Sequence, residues 1–237
     1  MSKFDPKRGE HSVWIRPEGE PPAELGLIIG DCLHNLRSAL DSLVYDLATV
    51  YQEGLLSDRA AKKSEFPLYI DPDLFEEYRE RKIGATDPCV QTKIEELQPY
   101  NEWSSFRFFM KTMGMRAHPE ACHPLWLLKE LSNTDKHRER HLTLFGPEAV
   151  MYREENADIA VSTVRDATSI KDRAKVLSYR PIDPEGEVDV EFNFGLNVAF
   201  KEGPPAFGEP ADRVLWRVYA FIKQEVLPAL TPYLTPH

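Results

Sequence analysis

AELGLIIGDCLHNLRSALDSLVYDLATVY, residues 23 to 51, is the stretch on which the fold turns. Leu25, Ile28, Ile29, Cys32, Leu33, Leu36, Leu40, Leu43, Leu47 and Val50 recur at steps of three and four, which places them on one stripe of a 3.6-residue helix. A helix from Ala23 to Tyr51 cannot bury that stripe alone, so the pattern predicts helical partners. Two segments offer matching stripes. After His123-Pro124, the residues Leu125, Leu127, Leu128 and Leu131 open a helix whose periodicity runs to about His141. Val214, Leu215, Val218, Phe221, Ile222 and Val226 mark a last helix from Pro210 to Leu230, stopping among Pro228, Pro232 and Pro236.

Around these rods the texture changes. Residues 1 to 22 carry Pro6, Pro17, Pro21 and Pro22 and read as an extended arm. Asp73 to Lys82 and Asp87 to Leu97 read as short helices, and Trp103 to Met113 as an aromatic-rich one. From Leu142 to Phe200 the β-branched, alternating pieces 142–145, 149–153, 159–164, 175–179 and 188–200 read as strands. The turn formers Gly146-Pro147 and Pro184-Glu185-Gly186 between them favour antiparallel hairpins. The expected fold is α+β. It is a helical bundle on two or three long helices, with a small antiparallel sheet inserted before the C-terminal helix, in a single domain over 23–237.

The 237 residues are 42% hydrophobic and 29% charged, as in soluble globular chains. The balance of 29 basic against 39 acidic residues, net −10, excludes a general polyanion-binding surface and leaves room only for a local basic patch. No apolar run opens the sequence, and none approaches the roughly 18 residues of a membrane span, so neither export nor a membrane is expected. Cys32, Cys89 and Cys122 are odd in number and form no CxxC pair, which points to reduced thiols in a cytoplasm. There is no Gly-rich phosphate loop, GxSxG or HExxH, and no cofactor is expected.

Two helices carry the candidate chemistry. On the first, 100° per residue puts His34, Ser38, Asp41 and Tyr45 on one line opposite the leucines, flanked by Asp31 and Arg37. The line reads either as a solvated face with an Arg37–Asp41 pair at i,i+4 or as a surface that hydrogen-bonds a ligand, since these residue types are mediocre helix formers. On the 124–141 helix, Asp135 and Arg138 continue the leucine face and need partners, while Asn133 and His137 share the other side with Trp126 and Glu130. The structural reading is a polar lock at the helix end. The functional one makes His137 an acid or base beside Asn133 and Arg138 or Arg37 an anion clamp, with His34, Asp41, Asp135 and Lys136 toward the substrate.

A metal site among His118, Cys122, His123, His137 and His141 fails on length. Fourteen residues at ~1.5 Å separate His123 from His137 by about 21 Å in a continuous helix, so no metal is expected. Trp103 to Pro119 mixes Arg107, Lys111 and Arg116 with Trp103, Phe106, Phe108 and Phe109 and contains no acid. It reads as core aromatics with snorkelling bases or as a single-strand nucleic-acid patch.

The strings GDCLHNLRSALDSL (30–43), LQPY (97–100) and HPLWLLKELSNTDKHR (123–138) resemble a family of uncharacterised bacterial proteins of similar length. That resemblance covers about 25 to 145 and implies a shared fold without an activity. A more distant resemblance is to HEPN-type helical domains, many of them metal-independent ribonucleases of defence and toxin systems. Their motif is an Arg, a polar residue and then a His on one helix. Asn133 and His137 match the polar and His positions, whereas Ser132 stands where the Arg belongs. The resemblance implies RNA as a partner, His137 acting on a ribose 2′-hydroxyl, an arginine from elsewhere (Arg37 or Arg138) and a homodimer. Beside it stands the reading of a non-catalytic interaction protein, in which the same His, Asp and Arg groups lock helix packing or form a partner surface.

Overall fold

The computed structural model describes residues 2–16, 19, 21–101, 123–136, 142–154, 159–163, 173–182, 190–200, 206 and 209–235. The aromatic-rich 103–119 stretch, Cys122, His137, Arg138 and His141 lie outside them. The helices are α1 (Ala23–Tyr51), α2 (Asp58–Ala61), α3 (Pro72–Ile83), α4 (Pro88–Glu96), α5 (Pro124–Lys136), α6 (Ala211–Phe221) and α7 (Leu227–Leu230). The strands are β1 (Ser2–Asp5), β2 (Glu10–Ile15), β3 (Leu142–Glu154), β4 (Ile159–Thr163), β5 (Ala174–Pro181) and β6 (Val190–Phe200). The fold mixes helices with antiparallel strands, as expected of an α+β chain. Contacts divide it into a strand unit (Met1–Gly26, His141–Gly203, Phe207–Asp212) and a helical unit (Leu27–Arg140, Pro204–Ala206, Arg213–His237).

α1 has the expected bounds but not quite the expected seam. Its buried positions are Gly26, Ile29, Gly30, Leu33, Leu40, Leu43, Val44, Leu47 and Ala48. Cys32 and Ile28, placed on the leucine stripe from sequence, are exposed. The buried set steps 26, 30, 33, 40, 44, 47, and the missing member of that alternation is Arg37. An arginine therefore sits in the helix's apolar seam, where its charge must be matched.

The other helices of this unit are delimited by local chemistry. α3 and α4 begin alike: Asp71 accepts from the Asp73 N–H and Asp87 from the Cys89 N–H, with Pro72 and Pro88 at first positions that need no donor. α6 continues through a π-helical turn (Ile222–Val226) into α7, where one long helix is expected. The cause is Pro228, whose ring would collide with the carbonyl four residues back in an α-helix. The chain widens by one residue just before it, and the Leu227 N–H donates to Ile222 O, five residues back. No described helix is long and apolar enough to cross a membrane.

The strand unit corrects two expectations. The N-terminal stretch expected as an arm is a hairpin, β1–β2, with Gly9 at φ 57° in its turn, and it joins a four-stranded sheet ordered β1-β2-β5-β4. The sheet is thus not simply inserted before the last helix. Gly146-Pro147, expected as a turn, lies inside the continuous strand β3, which pairs with β6 and shifts register on either side of Pro147. Proline has no N–H for the ladder, so the strand bulges there rather than ending. Val176 and Leu177 are both buried; as neighbours on β5 they point to opposite faces, so this inner strand is covered on both sides. Val13, Ile15 and Tyr179 complete the small core around them.

Candidate functional site

The seam arginine organises the helical unit's polar cluster. Arg37 Nε donates to Asp41 Oδ2 at 3.2 Å, and its Nη2 donates to Glu65 Oε1 at 2.7 Å and to the Phe66 carbonyl at 2.8 Å. Asp41 in turn accepts the Phe66 N–H at 2.9 Å. Lys82 of α3 reaches the same Glu65 oxygen at 3.0 Å. One arginine and one aspartate, a helical turn apart on α1, thereby grip both polar groups of the Phe66 backbone and hold the 65–69 segment against the helix. Only 16% of the Arg37 side chain is exposed, so these bonds act in a partly dehydrated setting where they are stronger than on the open surface. Burial pushes the Asp41 carboxyl above its ordinary value, outweighing the pull of Arg37 and of the Phe66 N–H.

Beyond Phe66 the segment is pinned again. The buried Gln98 accepts the Tyr69 N–H at 3.0 Å through Oε1 and donates to the Ile94 carbonyl at 3.0 Å through Nε2. Tyr69 is the centre of an aromatic and cationic surface. Its ring stacks on Tyr78 with centroids 5.8 Å apart, and the ammonium groups of Lys82 and Lys129 stand 5.2 and 5.4 Å from its centroid. Lys129 also stands 4.8 Å from the Trp126 ring. Burial depresses the pKa of Lys129, with the charges of Lys82 and Arg37 adding to the effect and Glu130 opposing it.

At the start of α5, His123 caps the helix. Its Nδ1 accepts the Leu125 N–H at 3.2 Å, the role that Ser or Asp usually fills, and its ring meets Phe221 of α6 edge-on at 5.0 Å. Burial pulls its pKa down to about 4. Among the described residues no three His, Cys, Asp or Glu side chains gather as a metal site.

Of the residues singled out from sequence, Arg37 and Asp41 come together, as the i,i+4 spacing suggested. His34 stays out of their cluster, on the exposed face beside Ser38 at 3.4 Å. Asn133 is exposed on α5, one turn beyond Lys129, and the preceding Ser132 has its hydroxyl buried without a hydrogen-bond partner among the described residues. Asp135 and Lys136 are in the last turn of α5, with their side chains outside the described set, as are His137 and Arg138 altogether. Sequence reasoning missed Glu65, Gln98, Tyr69, Lys82 and Lys129. The one available signal was Arg37 itself, at a seam position where a leucine belongs.

No known family model, curated protein or solved structure matches this chain.

Proposed function

We propose that this chain is a non-catalytic binding protein whose α1 polar groups lock the fold. The observation that carries this reading is the engagement of Arg37 with Asp41, Glu65 and the Phe66 carbonyl. A phosphate approaching that guanidinium would meet two carboxylates first, so an anion clamp there works against Coulomb's law. The same reading holds that α1, α5 and α6 pack as one bundle; the α1 seam and the contact of His123 with Phe221 support it.

A second reading, the HEPN-like ribonuclease acting on RNA as a homodimer, draws on the exposure of Asn133 and on the cationic Lys129 one turn away. In it His137 is the acid or base, and Arg138 stands in for the arginine missing at Ser132. A nuclease assay on the purified chain with chelator present separates the two. The binding protein gives no RNA cleavage above that of His137→Ala, whereas cleavage that disappears in a still-folded His137→Ala establishes the enzyme.

A further inference from the structure

Two cations of the α1–α3–α5 cluster have counter-charges among the described residues. Arg37 is matched by Asp41 and Glu65, and Lys82 by Glu65. The Lys129 ammonium has no carboxylate within ion-pairing distance among the described residues and rests instead against the Trp126 and Tyr69 rings. Ring faces stabilise a cation without neutralising it, and all three aromatic side chains here, Trp126, Tyr69 and Tyr78, are only half-buried. Arg81 likewise has no carboxylate partner among the described residues and stands 5.4 Å from the Tyr78 centroid, so the charge left over directly beside Trp126 is that of Lys129.

We propose that this surface binds a small planar aromatic monoanion, an arene carboxylate, with its carboxylate on Lys129 Nζ and its ring against Trp126. The inference rests on the binding-protein reading and names its ligand class. The neighbouring carboxylates select a single small anion over a nucleic-acid strand. Glu65 lies against Lys82, and the Glu77 charge acts on Tyr78, so successive phosphates would meet carboxylates in a chain already at −10.

Calorimetric titration of the full chain with 2-naphthoate tests it, with 2-naphthylmethanol, acetate and a single-stranded oligouridylate as parallel probes. Expected is one naphthoate per chain, with the neutral and the ringless probes bound at least about tenfold more weakly. Lys129→Gln and Trp126→Leu each weaken naphthoate about tenfold, and Lys129→Arg keeps most of the affinity, with unchanged circular dichroism throughout. No naphthoate binding by the wild type, or equal binding by Lys129→Gln, overturns the proposal. Oligouridylate bound through Lys129 more tightly than naphthoate also overturns it, in favour of a strand. RNA cleavage, read separately, contradicts the non-catalytic reading without touching this one.

Discussion

The two units of this chain contain mirror-image ion clusters. In the helical unit one cation, Arg37, serves two carboxylates; in the strand unit one carboxylate, Glu10, serves Lys175 and Arg180, each at 3.3 Å. The outcomes for the acids are opposite. Asp41 is raised because burial costs its charge more than a shared arginine returns. Glu10 is pulled down to about 2, first by the hydrogen bond from Ser178 and then by Lys175, with Arg180 also contributing, because several donors converge on one group. What decides the sign is how many donors and opposite charges each acid has to itself.

The comparison breaks most sharply at Arg37. Arg37→Ala leaves Asp41 and Glu65 facing each other beside the Phe66 backbone, and the expected loss in urea-unfolding stability is about 3 kcal/mol, toward the low end for a buried pair because both carboxylates keep some solvent contact. Arg37→Lys recovers only part of it, since an ammonium cannot reproduce the forked contact.

Acid separates the units next. A histidine whose folded pKa lies below its unfolded value holds fewer protons when folded, so stability is complete above about 6.5 and is lost as pH falls toward about 4. For His123 this amounts to about 3 kcal/mol, at 1.36 kcal/mol per pH unit of depression from 6.5 to about 4. Urea titrations between pH 7 and 4 should show the loss in the wild type and not in His123→Asn, which caps without titrating. Asp41 works in the other direction: with its pKa raised, its contribution improves as pH falls. It therefore softens the acid limb that His123 creates.

The smallest effect belongs to Glu10. Its pKa is depressed, so its contribution is present above the ordinary carboxylate range and disappears only as pH falls from about 4.5 toward about 2. The amide signals of Val13 and Leu177 should therefore keep their protection through pH 4 in the wild type. Glu10→Gln lowers that protection at neutral pH and removes the acid-dependent step.

The periodic part of this molecule was legible and the crossing contacts were not. α1 could be bounded from its leucines, and Arg37 and Asp41 could be paired from their spacing. Nothing periodic in SEFPLYIDPD says that Glu65 and Phe66 return to α1, or that Gln98 holds Tyr69, because irregular backbone carries no repeat from which a facing residue can be deduced. The N-terminal hairpin was hidden by its own prolines: Pro6 was counted as a breaker, although together with Gly9 it belongs to the turn. His123 invited a metal reading because histidine seldom caps a helix, and only the Leu125 contact shows the ring's task.

Arg37 is a structural clamp, and a double-mutant cycle of Arg37→Met with Glu65→Gln, read by urea unfolding, tests that directly. A coupling of about 1–2 kcal/mol is expected, the size found for residues that share one ion-pair network. Additivity within about 0.3 kcal/mol, with the single Arg37→Met variant as stable as the wild type, would contradict it.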